Sequence, residues 1–293
     1  MQGLVAAIPT PVDSHGHPIE NLFIEHAQWA LKNGCDGLNV LGSTGEASSF
    51  DGQSRRRVMT WAAHGLDVAR LMVGTGTPSL ADTIALTRYA DDLGYHVALV
   101  LPPYYYTPPA DEGLINWYTE LDKALGDRPI RVWFYNYPQM TGFAIPERVI
   151  KALHTRAPQR FDGIKDSSGD LAYCHRLVAT MPDLRVFPSS ETSLSIAASS
   201  GFAGCISATV NYSAPLCARL LHGRGEDDAL VAQIAELRAR ISSQPLIPAI
   251  KHLVARRTGV ADWSQTLPPL LPLDDAQAAA LEHLVPDIAP ATA

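Results

Sequence analysis

The 293-residue sequence is poor in cysteine and contains no long apolar run. Its four cysteines are scattered and form no Cys-x-x-Cys pair, which is typical of reduced core residues in a cytoplasmic protein rather than of a disulfide framework. No apolar segment approaches the roughly 20 residues that a membrane-spanning helix needs. The N-terminal residues lack the basic start and long apolar core of a signal peptide. We therefore expect a cytoplasmic protein with no membrane partner.

Clusters of basic residues are also absent. The formal net charge is −7, and no Lys/Arg-rich run interrupts the sequence. Binding to nucleic acid requires a clustered basic face that neutralises phosphates, so we expect no nucleic-acid partner. Hydrophobic residues make up 46% of the chain and charged residues 18%, which is the composition of a globular protein.

Short apolar runs alternate with longer amphipathic segments, and this pattern predicts the fold class. Eight continuous apolar runs are typical of strands that are buried on both faces. Eight strand-then-helix units predict an α/β fold, a (β/α)₈ TIM barrel. The alternative is a doubly wound sheet, but Pro9-Thr10-Pro11 follows the first strand where such a fold has a glycine-rich phosphate loop. The predicted strands are residues 4–8, 37–41, 71–74, 96–101, 130–135, 161–165, 184–187 and 203–208.

The chain beyond the eighth unit has a helical pattern only. We predict a barrel over residues 1–222 and a C-terminal helical extension over residues 223–293. Arg238 and Arg240 lie at the end of the first helix of this extension, where positive charge suits the helix dipole. Further helices are predicted at 244–259 and 274–284, and a helix at 192–200 precedes the eighth strand. The first helix of the extension has one apolar stripe, formed by Leu230, Ile234, Leu237 and Ile241.

Lys165 is the candidate nucleophile, because active sites of barrel enzymes lie at the carboxyl ends of the strands. It closes the sixth strand, whereas the other four lysines fall in amphipathic helices and are expected to be solvated. Partial burial lowers the pKa of an amine and frees it to form a Schiff base with a ketone or aldehyde. The alternative is a structural ion pair between Lys165 and Asp162 or Asp166.

Tyr135 closes the neighbouring fifth strand and is the candidate proton carrier. Adjacent strands lie about 5 Å apart, so its hydroxyl is within reach of a substrate bound to Lys165. The alternative is an ordinary core tyrosine.

Loops after other strands offer further candidates. Residues 42–46, Gly-Ser-Thr-Gly-Glu, supply hydroxyls and amides that suit a carboxylate; alternatively Thr44 caps the next helix. The three tyrosines at 104–106 lie between prolines, and some of them are expected to line the site or an interface between subunits. His15-Gly16-His17 has the spacing of a metal-binding pair. The later strand ends offer no histidine, so a polar turn is favoured and no metal is predicted.

Together these segments resemble the dihydrodipicolinate synthase / N-acetylneuraminate lyase family of class I, Schiff-base aldolases. The order and spacing of the matching pieces follow the family over nearly the whole chain. The pieces are residues 42–46, Pro103-Tyr104-Tyr105, Tyr135-Asn136-Tyr137-Pro138, Thr141-Gly142, Gly163-Ile164-Lys165-Asp166, Gly204-Cys205-Ile206-Ser207 and Pro245-Leu246-Ile247-Pro248.

The resemblance implies the roles of these residues. Lys165 would form an imine with pyruvate or another 2-oxo acid without any cofactor, and Tyr135 would relay protons. Tyr105, from a neighbouring subunit of a homo-oligomer built as a dimer of dimers, would extend the relay through Ser43. The substrate would be bound by Ser43, Thr44, Gly45, Met140, Glu191 and Ile206.

Two departures from the family pattern bear on the substrate. Met140 replaces an arginine that binds a substrate carboxylate in the synthases, and Ala208 replaces a serine expected in sialic acid lyases, where Glu191 is the one acid. The resemblance is therefore to the aldolases and dehydratases of 2-keto-3-deoxy sugar acids. The alternatives are 4-hydroxy-tetrahydrodipicolinate synthase, N-acetylneuraminate lyase, a metal-dependent hydrolase, and a non-catalytic barrel that binds sugar acids.

Overall fold

The computed structural model describes residues 1–106, 108–223, 227–282 and 284 of the chain. Eight short, almost fully buried strands alternate with helices along it, as both-face burial in a parallel sheet requires. The strands are β1 (Gly3–Ala7), β2 (Gly37–Val40), β3 (Leu71–Gly74), β4 (Val97–Val100), β5 (Arg131–Asn136), β6 (Gly163–Asp166), β7 (Arg185–Pro188) and β8 (Gly204–Ser207). Every predicted strand is present, with ends that differ by one or two residues at most.

The eight strands form one parallel sheet that closes on itself. Neighbours pair in chain order from β1 to β7, and β8 pairs with β1. Between β7 and β8, the N–H of Ala203 donates to the carbonyl of Val186 over 2.9 Å. The fold is therefore the predicted (β/α)₈ TIM barrel, and the doubly wound alternative is wrong.

Alternation along the strands decides which side chains enter the barrel. On β5, Trp133 and Tyr135 belong to the inner cluster, while Phe134 between them packs outside against the helices. Gly163 on β6 gives Trp133 its space, since a Cβ at this position would lie 2.4 Å from the indole ring. Lys165 follows Gly163 by two residues and therefore points inward, above Trp133.

The helices cover the outside of the barrel. They are α1 (Glu20–Lys32), α2 (Gly52–Gly65), α3 (Leu80–Asp92), α4 (Asp111–Leu125), α5 (Pro138–Thr141), α6 (Glu147–Arg156), α7 (Leu171–Thr180), α8 (Ala197–Ser200), α9 (Val210–His222), α10 (Asp228–Ser242), α11 (Leu246–Thr258) and α12 (Asp275–Ala279).

Two predicted helices are shorter than expected. Residues 191–195 form a 3₁₀ segment and only 197–200 form an α-helix, because serine hydroxyls here bond to backbone carbonyls: Ser193 donates to Ser190, and Ser195 to Thr192. The helix predicted at 274–284 ends at Ala279, and the last part of that prediction lies partly outside the described residues.

The predicted stripe of α10 is buried at all four positions, and all four cysteines are buried free thiols, as expected. The prediction for Lys251 is wrong: this lysine of α11 is fully buried and forms an ion pair with Glu46, because α11 lies across the loop after β2. Within the described ranges, no helix is both long and apolar enough to cross a bilayer.

Candidate active site

Lys165 lies inside the mouth of the barrel with only 4% of its surface exposed. Burial lowers the pKa of its amine to about 7. Its Nζ lies 4.6 Å from the centre of the Tyr135 ring. Because a pKa near 7 leaves a large fraction of the amine neutral at neutral pH, Lys165 has the property that a Schiff-base nucleophile needs.

The structural ion pair considered for Lys165 is not formed. Asp166 accepts hydrogen bonds from Asn136 and Ser168, over 2.6 and 2.8 Å. Asp162 lies at the other end of the strand, where it accepts from Trp133 and pairs with Arg185. Among the described residues, no carboxylate forms an ion pair with Lys165.

Tyr135 stands beside Lys165 because the two residues are register partners on β5 and β6. Its hydroxyl lies 3.2 Å from the hydroxyl oxygen of Ser43. Burial raises the pKa of Tyr135, although hydrogen bonds from the side chains of Ser43 and Ser167 oppose this. The phenol therefore stays protonated at neutral pH, as a proton carrier rather than a standing base.

The loop that carries Ser43 is held in an unusual backbone conformation. Leu41 and Glu46 both have positive φ, 53° and 54°, which is rare for residues other than glycine. Gly74 of β3 permits the close approach, since a Cβ there would lie 2.0 Å from the carbonyl oxygen of Leu41. Strained backbone of this kind persists where its surroundings hold it, and it is often found at functional sites.

Buried contacts from α11 and from the segment after it hold this loop. One carboxylate oxygen of Glu46 accepts from Lys251, and the other accepts from the backbone N–H of Leu267 over 2.7 Å. Thr44 does not cap α2, since the side chain of Asp51 accepts from Ser54 there. The alternative of a plain cap at Thr44 is therefore wrong.

A cavity of about 270 Å³ opens at the carboxyl ends of the strands. It brings together six of the predicted site residues, which come from β2, β5, β6 and β8 and the segments after them. These six are Ser43, Thr44, Tyr135, Met140, Lys165 and Ile206.

Three predicted site residues do not line this cavity. Gly45 turns its carbonyl to the hydroxyl of Thr10. Glu191 is fully buried and pairs with Arg238. The side chain of Tyr105 is 76% exposed on the outside of this chain.

Arg238 of α10 lines the cavity, although its place in the sequence suggested only a charge at a helix end. Its Nη1 lies 2.7 Å from Glu191 and 3.0 Å from both Ser207 and Thr209. The signal for this position was its spacing, four residues after Ile234 and three before Ile241, which places it on the buried face of α10.

A second cavity of about 290 Å³ adjoins the first and shares Ser43 and Met140 with it. Tyr104 lines this second cavity, whereas Tyr105 and Tyr106 point away and are 76% and 85% exposed. The tyrosine loop therefore places one ring at the site and two on the surface.

The His15-Gly16-His17 segment forms a polar turn. The side chain of Asp13 accepts from the backbone N–H of both His15 and His17. Among the described residues, no three His, Cys, Asp or Glu side chains lie close enough together to hold a metal ion.

The chain was compared with protein families, with related sequences and with solved structures. Residues 1–288 match the Dihydrodipicolinate synthetase family. An "Uncharacterized DapA-like lyase" of Chloroflexus aurantiacus is 32% identical over 96% of this chain and 94% of its own. The crystal structure of dihydrodipicolinate synthase from Agrobacterium tumefaciens is 27% identical and has a TM-score of 0.88, with 97% of this chain and all of that chain covered. YagE, a prophage protein of E. coli K12 crystallised with pyruvate, has the same TM-score at 23% identity and 97% coverage of both chains.

Proposed function

This chain belongs to the dihydrodipicolinate synthetase family and is a lyase of the class I aldolase type; from that membership we propose that it acts on a 2-oxo-3-deoxy sugar acid through an imine on Lys165. The observation that carries the proposal is the buried amine of Lys165, which has no carboxylate partner among the described residues and lies over the Tyr135 ring. Catalysis of this kind needs no cofactor, because the protonated imine itself withdraws electrons from the reacting bond.

The proposed reaction begins with attack of the neutral Lys165 amine on the C2 carbonyl, which forms the imine and releases water. A proton then leaves the C4 hydroxyl, and the C3–C4 bond breaks with its electron pair entering the imine system. This releases an aldehyde and leaves an enamine of pyruvate. Protonation at C3 and hydrolysis return pyruvate and the free amine. We assign the proton movements to the Tyr135 hydroxyl, which has Ser43 as its hydrogen-bond partner.

Ser43 and Thr44 are the proposed donors to the carboxylate next to the reacting carbon. Met140 and Ile206 form an apolar part of the cavity wall. Glu191 lies behind the wall, and we propose that it acts on the substrate only through Arg238. At its own position Met140 offers no charged donor to the carboxylate of aspartate semialdehyde, where the synthases of the family have an arginine, and this favours sugar acids over the synthase reaction.

We further propose a homo-oligomer, a dimer of dimers, in which Tyr105 enters the site of a neighbouring subunit. The exposed rings of Tyr105 and Tyr106, on a loop beside the cavity, support this. The barrel of residues 1–222 and the extension of residues 223–293 are proposed as one functional unit, because Arg238 and Lys251 both reach the barrel mouth.

Covalent trapping tests the proposal. Treatment with pyruvate and borohydride should add the mass of one reduced pyruvyl group to the intact protein. The adduct should disappear in Lys165→Ala and persist in the control Lys151→Ala, because Lys151 lies exposed on α6. Absence of an adduct, or an adduct that survives Lys165→Ala, would refute the imine mechanism.

A further inference from the structure

We propose that Arg238 determines the substrate of this site by binding a second carboxylate, at the end of the 2-oxo acid far from the carbon attacked by Lys165. The inference deepens the proposed function and rests on it for the identity of the reacting end. It assigns a role in substrate recognition to α10, a helix outside the barrel strands.

Arg238 lines the cavity, and its guanidinium has nitrogens without a partner among the described residues. All its hydrogen bonds run through Nη1. Within the described part of the chain, neither Nε nor Nη2 has a partner. The side chain is 28% exposed, and it lines the cavity that also contains Lys165. Nε and Nη2 form the edge of a guanidinium that binds both oxygens of a carboxylate.

The position of this guanidinium is fixed before any substrate arrives. Glu191 is completely buried and holds Nη1, and the hydroxyls of Ser207 and Thr209 accept from the same nitrogen. Thr209 in turn donates to Glu191. Because these contacts fix the side chain in advance, less conformational entropy is lost when a ligand binds.

The lining of the cavity is compatible with an anion. Among the described residues that line the cavity, none is acidic, and the cationic side chains are Lys165 and Arg238. Lys165 is committed to the reacting carbon, and Ser43 and Thr44 lie on the β2 side of the cavity. Arg238 lies beside Ser207 at the end of β8. The two ends of the substrate therefore have separate sets of donors.

A carboxylate fits this site better than a more highly charged group. Glu191 already balances the charge of Arg238, so the pair presents two donor nitrogens, Nε and Nη2, with little surplus charge. A planar, singly charged carboxylate matches those two donors in number and geometry. A neutral hydroxyl would leave one of them unpaired.

The test compares two 2-oxo acids of equal chain length, 2-oxoadipate and 2-oxohexanoate, which differ in the terminal carboxylate. Equilibrium binding is measured by calorimetry on the full chain and on Arg238→Lys, which keeps a positive charge beside Glu191 but loses the two-pronged edge. The full chain should bind 2-oxoadipate at least about tenfold more tightly, since a charged hydrogen bond contributes about 10- to 100-fold. Arg238→Lys should lose most of that preference and bind 2-oxohexanoate unchanged.

Arg240→Lys is the matched control, because Arg240 lies two residues further along α10 with a half-exposed side chain paired to Glu236. It should retain the preference. A double variant, Arg238→Met with Glu191→Gln, removes both charges of the pair and should also lose the preference for 2-oxoadipate. It leaves no unpaired buried charge, so it tests the proposal even if the single variant misfolds. Equal affinity of the full chain for the two acids, or equal loss for both in Arg238→Lys, would overturn the proposal.

Borohydride trapping with pyruvate separates this inference from the proposed function. Trapping should proceed in the full chain and equally in the control Arg240→Lys, whose side chain pairs with Glu236. Loss of trapping in Arg238→Lys alone would mean that Arg238 holds the carboxylate at the reacting end, which contradicts the inference. If no 2-oxo acid is trapped by the full chain, the imine proposal fails, while the difference in binding still decides the role of Arg238.

Discussion

Two carboxyl groups flank Lys165 in the sequence, yet both are turned away from its amine. Strand alternation sends Asp166 to the outer side, where Asn136 and Ser168 bind it. Lys165 therefore faces an apolar interior and the face of an aromatic ring. Desolvation is the main reason that its pKa falls to about 7.

The first prediction is the pH dependence of imine formation. The neutral amine is the nucleophile, and it is lost as pH falls below the pKa. The rate of trapping by pyruvate should therefore rise with pH, reach half its maximum near pH 7, and level off above it. Initial rates across a buffer series measure this. An inflection above about pH 9, close to that of a solvated lysine, would show that burial does not activate Lys165.

The sequence predicted the contacts of individual residues well where those contacts are set by position on a strand. Lys165 and Tyr135 are register partners. They lie side by side because each stands at the end of its strand and the two strands are neighbours in the barrel. Lys251 and Arg238 were interpreted from helical spacing alone, which cannot show what stands opposite a helix. Their partners, Glu46 and Glu191, lie 205 and 47 residues away in the sequence.

Helix α11 acts on the site from outside the barrel. Lys251 and Glu46 are both fully buried and join α11 to the strained loop of Ser43. Desolvation lowers the pKa of Lys251, and the Glu46 carboxylate opposes that shift. A buried charge without its partner is far less favourable than the intact pair.

The second prediction concerns this ion pair. Lys251→Met should lower the free energy of unfolding by about 3–5 kcal/mol, because it leaves the carboxylate of Glu46 buried and uncompensated. The double variant Lys251→Met with Glu46→Gln should lose much less, since both charges are removed. Urea unfolding measures each value.

Lys123→Met is the control for this pair, because Lys123 is 60% exposed and its loss should change stability by less than about 0.5 kcal/mol. If Lys251→Met were as mild as Lys123→Met, or the double variant as damaging as the single one, the ion pair would not be what holds the loop.

The elements that sequence patterns predicted well are those whose pattern reports burial. The apolar strands and the stripe of α10 are examples. The helix predicted at 192–200 is wrong over its first half, which is a 3₁₀ segment, because serine hydroxyls there compete for backbone groups. A hydrophobic pattern does not record that competition.

The surface of the molecule carries two large aromatic rings that the described part of the chain leaves exposed. Tyr105 and Tyr106 expose large rings beside the cavity that Tyr104 lines. Aromatic rings of this kind are enriched where proteins meet. The barrel itself was predictable because eight repeated units admit few arrangements, whereas an interface between copies of a chain, where one forms, leaves no periodic signal in the sequence.

The third prediction is that activity depends on association of the chains. Tyr105→Phe should lower turnover about 10²- to 10⁴-fold while the thermal unfolding temperature stays unchanged, because it removes a hydroxyl from a proton relay. Tyr135→Phe should lower turnover similarly by breaking the contact with Ser43. The double variant should be barely slower than either single variant, since two groups that act as one unit are not additive.

Tyr106→Phe is the matched control, because this ring is the next residue and is still more exposed. It should retain full turnover, and sedimentation should show every variant as an oligomer. Losses that multiply in the double variant would mean that the two hydroxyls act independently. A fully active monomer would show that the site is complete within one chain, and that the exposed tyrosines contribute nothing to its chemistry.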